Sequence, residues 1–224
     1  ETLANQDYHA RPDLGSSTLK TLDRDGAEMC SLRQAGAIES DSRALVIGSA
    51  VHAFVEGDLS KYVEAPDARG YKTTDSDTFN EASIKAAEQG KVLLSRSEYA
   101  TVRECSAALE RKFGGYLIGR QKWIEPSLFW NQPIEGGSTP GEFVSCKCRP
   151  DILVDHGDGT AYYLEIKTAA DNGPRAWKST CWRYGYWLQQ AHYEAGIRAA
   201  TGCHQVRTIF VVVRKPAPYV VRIY

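Results

Sequence analysis

Apolar and polar positions alternate along the second half of the chain in short runs, whereas the first half shows helical spacing. Residues 143–154 and 161–168 are two runs of strand-forming residues. They flank Asp158-Gly159, a dipeptide that favours tight hairpin turns, so they predict a β-hairpin. Further strands are predicted at 122–130, 208–214 and 219–224. Upstream, residues 44–56 carry Leu45, Val51, Phe54 and Val55 at helical spacing. Residues 76–87 and 95–113 also read as helices, separated by the strand-like Lys91-Val92-Leu93-Leu94, with Leu109 and Phe113 able to pack one turn apart. After the hairpin, Pro174 is placed to open a helix behind Asp171 or Asn172 as cap, and the pattern continues to Ala200. On it Trp177, Cys181, Tyr184, Leu188, Ala191 and Ala195 form a core-facing stripe. Beside that stripe Trp182, Tyr186, Gln189 and Tyr193 form a polar-aromatic face, suited either to ligand contact or to protein packing. The succession is αβββαβ: one α/β domain of 224 residues, mostly helical over 1–115, with the sheet and the long helix over 116–224. The turn-rich 131–141 is a loop and marks no domain boundary.

The hairpin places unusual chemistry on the sheet. Period-two alternation puts Glu165 and Lys167 on one face and Ile166 on the other, while strand pairing brings Asp151 alongside. Two acids and a lysine on the apolar middle of a sheet are costly unless they bind something, and a divalent cation or a phosphate would serve. On the helix at 44–56, Gly48, His52 and Glu56 recur every four residues, presenting an imidazole and a carboxylate along one stripe.

Charge adds one refinement. The chain has a net charge of −1, yet residues 160–224 hold nine Lys/Arg against three acids, a local excess of +6. This excludes a uniformly basic nucleic-acid binder and leaves two readings of the C-terminal third, a phosphate-binding surface or a solvated basic face. Cys146 and Cys148 alternate on one strand face, too close for an easy disulfide. Cys181 and Cys203 stand alone, so no iron–sulfur cluster is expected and free thiols of a cytoplasmic protein are. No segment reads as membrane-spanning or as a signal peptide, and the ends suggest a trimmed chain.

Four motifs in order, Gly48-Ser49-Ala50-Val51-His52, Cys146-Lys147-Cys148-Arg149-Pro150-Asp151, Glu165-Ile166-Lys167-Thr168 and Gln189-x-x-x-Tyr193, resemble the PD-(D/E)XK nuclease superfamily. Within it they look like the RecE-type exodeoxyribonucleases, the exonuclease VIII-like enzymes of phages and prophages. The resemblance runs from about Tyr8 to Tyr224, and the opening segment from Tyr8 to Leu22 looks like the family's N-terminal helix entry. It implies a restriction-endonuclease-like core with a mixed central sheet flanked by helices. It also implies that His52, Asp151, Glu165 and the Ile166 carbonyl hold Mg²⁺, or Mn²⁺ in its place, as one or two ions. Lys167 would position the attacking water and stabilise charge on the phosphate. Gln189 and Tyr193 would support the site and touch DNA, Glu125 would stand where relatives carry another acid, and Glu56 would orient His52. Arg149, Lys178 and Arg183 are candidates for a 5′-phosphate pocket. The implied activity is 5′→3′ degradation from ends of double-stranded DNA in recombination. The implied partners are DNA, a single-strand annealing protein and further copies in a ring. The rival readings are an endonuclease of restriction or repair type with the same site, and a non-catalytic DNA-binding module.

Overall fold

The computed structural model describes residues 2–35, 43–57, 60–72, 74–113, 122–135 and 141–224, without the side chains of Gln34, Phe54, Val55, Glu56 and Phe113. The helices are α1 (Asn5–Ala10), α2 (Ser16–Gln34, interrupted at Gly26), α3 (Arg43–Glu56), α4 (Asp77–Glu88), α5 (Arg96–Phe113), α6 (Pro174–Arg183) and α7 (Tyr186–Thr201). The strands are β1 (Tyr62–Glu64), β2 (Val92–Leu94), β3 (Lys122–Ile124), β4 (Leu128–Pro133), β5 (Phe143–Cys148), β6 (Ile152–Asp155), β7 (Thr160–Ala169), β8 (Gln205–Arg214) and β9 (Val221–Ile223).

A five-stranded mixed sheet in the order β3-β6-β7-β8-β9 forms the centre. The β6–β7 pair is the expected antiparallel hairpin, and β7 pairs with β8 in parallel after the crossover through α6 and α7. Alternation along the strands separates two cores. Ile152, Val154, Leu164, Ile166, Val211 and Val213 face α3 and α5, where they meet Ala50, Val51, Val102 and Leu109. The intervening Leu153, Ala161 and Tyr163 face α7 and pack on Tyr193 and Ile197. The αβββαβ succession is present, with the β4–β5 ribbon inserted between β3 and β6.

Three expected elements are broken, each for a local reason. The strand expected at 143–154 is two strands in different sheets, because Pro150 lacks an N–H for the ladder and restricts the residue before it. The strand expected at 122–130 divides at Glu125-Pro126, where Glu125 adopts φ 44°. The two breaks lie side by side, since the Glu125 N–H donates to the Asp151 carbonyl at 3.0 Å. The helix expected at 174–200 ends at Arg183 and restarts at Tyr186. Between them Gly185 takes φ 62°, a left-handed conformation that costs glycine little. A Cβ there would also come within 3.0 Å of the Lys20 side chain. The restart shifts the helical phase, so the expected core stripe fails beyond Cys181. Tyr184 and Ala191 are exposed, and α7 buries Gln189, His192, Tyr193, Gly196 and Ile197 instead.

Gly196 marks a close helix–ribbon contact, for a Cβ there would lie 2.5 Å from a Trp130 ring carbon and 2.9 Å from Cys148 Sγ. Overpacking a filled site costs about 1–3 kcal/mol or more. Gly196→Ala should therefore lower the melting temperature by several degrees, at roughly 2–4 °C per kcal/mol for a chain of this size. Calorimetry checks it; an unchanged transition would mean that the ribbon yields. All six cysteines are free thiols, five of them buried. Among the described residues no helix is long and apolar enough to cross a membrane.

Candidate functional site

The chemistry gathers where β7 outruns its partner. β6 pairs with β7 only as far as Leu164, so among the described residues the next stretch of β7 has no strand on that side. There the Ile166 N–H donates to Asp151 Oδ2 at 2.6 Å instead. Asp151 can do this because the break at Pro150 releases it from the ladder just before β6 begins. Its other oxygen, Oδ1, lies 3.4 Å from His52 Nδ1, which α3 brings from the opposite face of the sheet. Glu165 and Lys167 emerge on the α7 face as alternation requires, and Lys167 Nζ donates to Glu165 Oε2 at 2.6 Å. Gln189 Nε2 donates to the same oxygen at 2.8 Å. Four side chains from three elements, together with the Gln189 amide, thus converge on one end of β7.

Glu165 is only 1% exposed, and its Oε1 is buried without a hydrogen-bond partner. A buried acceptor left unpaired costs about 1–3 kcal/mol, more if it is charged. Burial, with Asp151 adding like charge, pushes the Glu165 carboxyl up to about 7. Burial pushes Asp151 the same way, but the charge and hydrogen bond of His52 outweigh it and hold Asp151 below its ordinary value. Burial opposes charge on His52, yet Asp151 raises its imidazole to about 9. Lys167 is likewise penalised by burial, and the Glu165 and Asp151 carboxylates more than compensate, so its ammonium titrates above the usual range.

These shifts fix a pH dependence without divalent cations. A His52 that titrates near 9 when folded and near 6.5 when unfolded gives stability fully present below about 6.5. That stability is lost as pH rises through about 9. Glu165, raised from 4.5 to about 7, also makes stability fall with rising pH, in the lower window between those values. In a chelating buffer the melting temperature should decline from pH 6.5 to 9, and His52→Gln should flatten that decline. Lys20, lowered to about 8, opposes the decline in the upper part of this window, so the pairing is refuted if His52→Gln declines as steeply as wild type.

Among the described residues no cluster of three or more His, Cys, Asp and Glu side chains is drawn together tightly enough to hold an ion as it stands. His52 is turned to Asp151, and Lys167 and Gln189 occupy Glu165 Oε2. The donor set nevertheless suits a hard cation: two carboxylates and an imidazole, with Glu165 Oε1 buried and unpaired.

The site opens into a cleft of about 1390 Å³, larger than a typical small-molecule pocket. A polar stripe of α2, Ser17, Lys20, Thr21 and Arg24, forms one wall. Lys20 was not anticipated. Its Nζ donates to Gln189 Oε1 at 3.3 Å, linking it through that amide to Glu165. Burial, assisted by the nearby Lys167 charge, lowers the Lys20 ammonium to about 8. The spacing i, i+3, i+4, i+7 collects these polar residues on one helical face, but it does not mark Lys20 as reaching β7.

A family model described as a PDDEXK-like domain of unknown function (DUF3799) matches residues 15–224. The chain belongs to this family. The crystal structure of a "Putative exonuclease" from Eubacterium rectale is similar over 100% of this chain and 77% of its own, with 18% identity and a TM-score of 0.62. At that identity the likeness shows the fold alone, a PDDEXK-like mixed sheet flanked by helices. The crystal structure of SSO0001 overlaps 81% of this chain and 77% of its own at 14% identity, and its TM-score of 0.36 carries no argument. No curated protein matches the sequence.

The other anticipated residues of the PDDEXK-like chain are distributed unevenly. Glu125, Arg183 and Gln189 line the cleft. Tyr193 is buried, its ring 5.9 Å from that of Tyr163, and it belongs to the core beneath the site rather than to the cleft wall. Lys178 is exposed outside the cleft lining. Arg149 is not free for a phosphate: its guanidinium donates to the Leu3 carbonyl and to Ser127 Oγ at 2.9 and 2.8 Å, and lies 4.0 Å over the Tyr8 ring. Neighbouring Lys147 donates to the Tyr8 and Arg11 carbonyls at 2.8 and 2.5 Å, so β5 grips the N-terminal segment twice. The Glu56 side chain lies outside the described residues.

Proposed function

We propose that the chain is a metal-dependent nuclease of the RecE-type exodeoxyribonuclease kind. It would hydrolyse phosphodiester bonds from the ends of double-stranded DNA in the 5′→3′ direction, in recombination. The observation that carries the reading is the junction of Asp151, Glu165, Lys167 and His52 at one end of β7, with a buried carboxylate oxygen left unpaired. Family membership supports it, as does the name borne by the Eubacterium rectale structure.

Asp151, Glu165, His52 and the Ile166 carbonyl would hold one or two Mg²⁺ or Mn²⁺ ions. Bound there, a divalent cation supplies charge neutralisation on the phosphate and lowers the pKa of water. Glu165 and His52 must give up protons for such a role, so binding releases protons and strengthens with pH. Lys167, held by Glu165 in a water-poor site, orients the attacking water and stabilises negative charge on the phosphate oxygens. Gln189 fixes the Glu165 carboxylate and keeps Lys20 beside it. Lys20, Arg24 and Arg183 along the cleft neutralise the DNA backbone. A single-strand annealing protein and ring assembly complete the proposal by analogy with recombination systems.

The test offers end-labelled linear duplex and covalently closed circles in Mg²⁺. Release of nucleotides from linear DNA with circles intact is expected. Equal attack on circles would replace exonuclease by endonuclease, and hydrolysis of neither would remove the nuclease reading.

A further inference from the structure

Half of the polar-aromatic face expected on the long helix turns inward, Gln189 to Glu165 and Tyr193 to the core. Of the other two, Tyr186 packs partly buried on Trp177 and Phe210, and Trp182 is left on the surface. Around the α6–α7 break Trp182 is 77% exposed, Tyr184 49% and Trp187 43%. The Trp182 and Trp187 rings stack on each other with centroids 5.9 Å apart and planes 25° from parallel. Packing does not account for them, because the phase shift at Gly185 already supplies α7 with a complete buried face. Two neighbouring indoles held in water lose the favourable burial of large apolar rings, which points to an occupant.

Charge and position indicate its chemistry. From 172 to 193 the chain carries Arg175, Lys178 and Arg183 and no acid. Arg183 spreads its guanidinium 5.6 Å over the Tyr184 ring, and Arg183, Tyr184 and Tyr186 line the cleft that leads to Lys167 and Gln189. Aromatic rings interleaved with cations, continuous with a basic groove, form the arrangement that binds single-stranded nucleic acid: rings take bases, cations take phosphates. A second copy of the chain fits the patch less well. A two-fold interface would set these cations against themselves, and the segment from 172 to 193 holds no acid to answer them.

We infer that the Trp182–Trp187 pair is a stacking platform for bases of an unpaired DNA strand whose backbone runs into the cleft. The inference rests on the nuclease reading and deepens it. Inside a duplex each base has both faces covered by its neighbours, so only a frayed end or a single strand offers a free π-face. The platform therefore admits separated strands to the site in preference to paired DNA, with little regard to sequence because every base has such a face.

The test compares two labelled probes of about 12 nucleotides, within the span one such site covers: oligo-dT and an abasic-spacer strand of equal length and charge. Binding is measured by fluorescence anisotropy with a chelator present, so hydrolysis plays no part. Wild type should bind oligo-dT about five- to a hundredfold more tightly than the spacer. Trp182→Ala with Trp187→Ala should erase that difference while keeping spacer affinity and the melting transition. Trp182→Phe with Trp187→Phe should restore most of it. Equal binding of both probes by wild type, or a preference that survives in the double alanine variant, overturns the inference. So does an unchanged preference accompanied by dissociation of a wild-type oligomer in sedimentation, which would assign the patch to self-association. Hydrolysis of DNA in Mg²⁺ is scored in parallel. Cleavage without base preference defeats this inference alone, and base preference without cleavage upholds it while defeating the nuclease reading.

Discussion

Asp151→Ala is expected to remove divalent-cation binding and to lower DNA hydrolysis by on the order of 10²-fold or more. The size follows from what Asp151 touches. One oxygen faces His52 and the other accepts the Ile166 N–H, so the carboxylate joins a helix to the stretch of β7 that β6 does not reach. Its loss takes away a ligand and also leaves an imidazole and a buried amide without an acceptor. Asp151→Asn separates the two effects, since an amide oxygen can still accept from Ile166 but carries no charge for a cation. Calorimetric titration with Mn²⁺ and hydrolysis of linear duplex should both fail in both variants, with the asparagine form closer to wild type in thermal stability. Mn²⁺ affinity unchanged in Asp151→Ala would place the metal elsewhere and end the proposed mechanism.

Lys167→Ala should reduce turnover to a comparable extent while sparing metal affinity, because an ammonium donates hydrogen bonds and cannot ligate. Breaking a buried ion pair commonly strands its partner at a large cost. Here the partner can escape that cost: Glu165 already titrates near 7, and without Lys167 its carboxyl takes up a proton more readily. The variant should therefore fold in chelating buffer, and the same property makes it informative. At pH 8 Mn²⁺ binding should persist, weakened only as far as a proton on Glu165 competes with the ion, while kcat collapses. Activity within about threefold of wild type, too small a change for loss of transition-state charge stabilisation, would remove the lysine from catalysis.

The parts of this architecture that were legible in the sequence are those governed by short-range rules. The Asp158-Gly159 turn with its flanking alternation located the β6–β7 hairpin, and the same alternation put Glu165 and Lys167 on one face with Ile166 opposite. Helical spacing located α3 and with it His52. The breaks were harder to see. Glu125-Pro126, Arg149-Pro150 and Gly185 all carry recognised breaker residues, but their strand- and helix-like flanks read as continuous elements. Only the presence of a second, small sheet and of α2 against Gly185 decides that the chain turns there. Lys20 was hidden for a related reason. It lies 145 positions from Glu165 in the sequence and acts through Gln189. Arg149 beside Pro150-Asp151 had the appearance of a phosphate ligand, and only the fold shows its fork already engaged by the first residues of the chain.

That engagement has a practical consequence for anyone shortening the protein. Lys147 and Arg149 sit on the approach to Asp151 and are anchored to carbonyls of Leu3, Tyr8 and Arg11. A version cut back to residue 15, where the matched region starts, would discard those anchors and leave Lys147 and Arg149 short of acceptors beside Asp151. The opening dozen residues behave as a brace for the edge that carries Asp151, and removing them should loosen that edge from a distance.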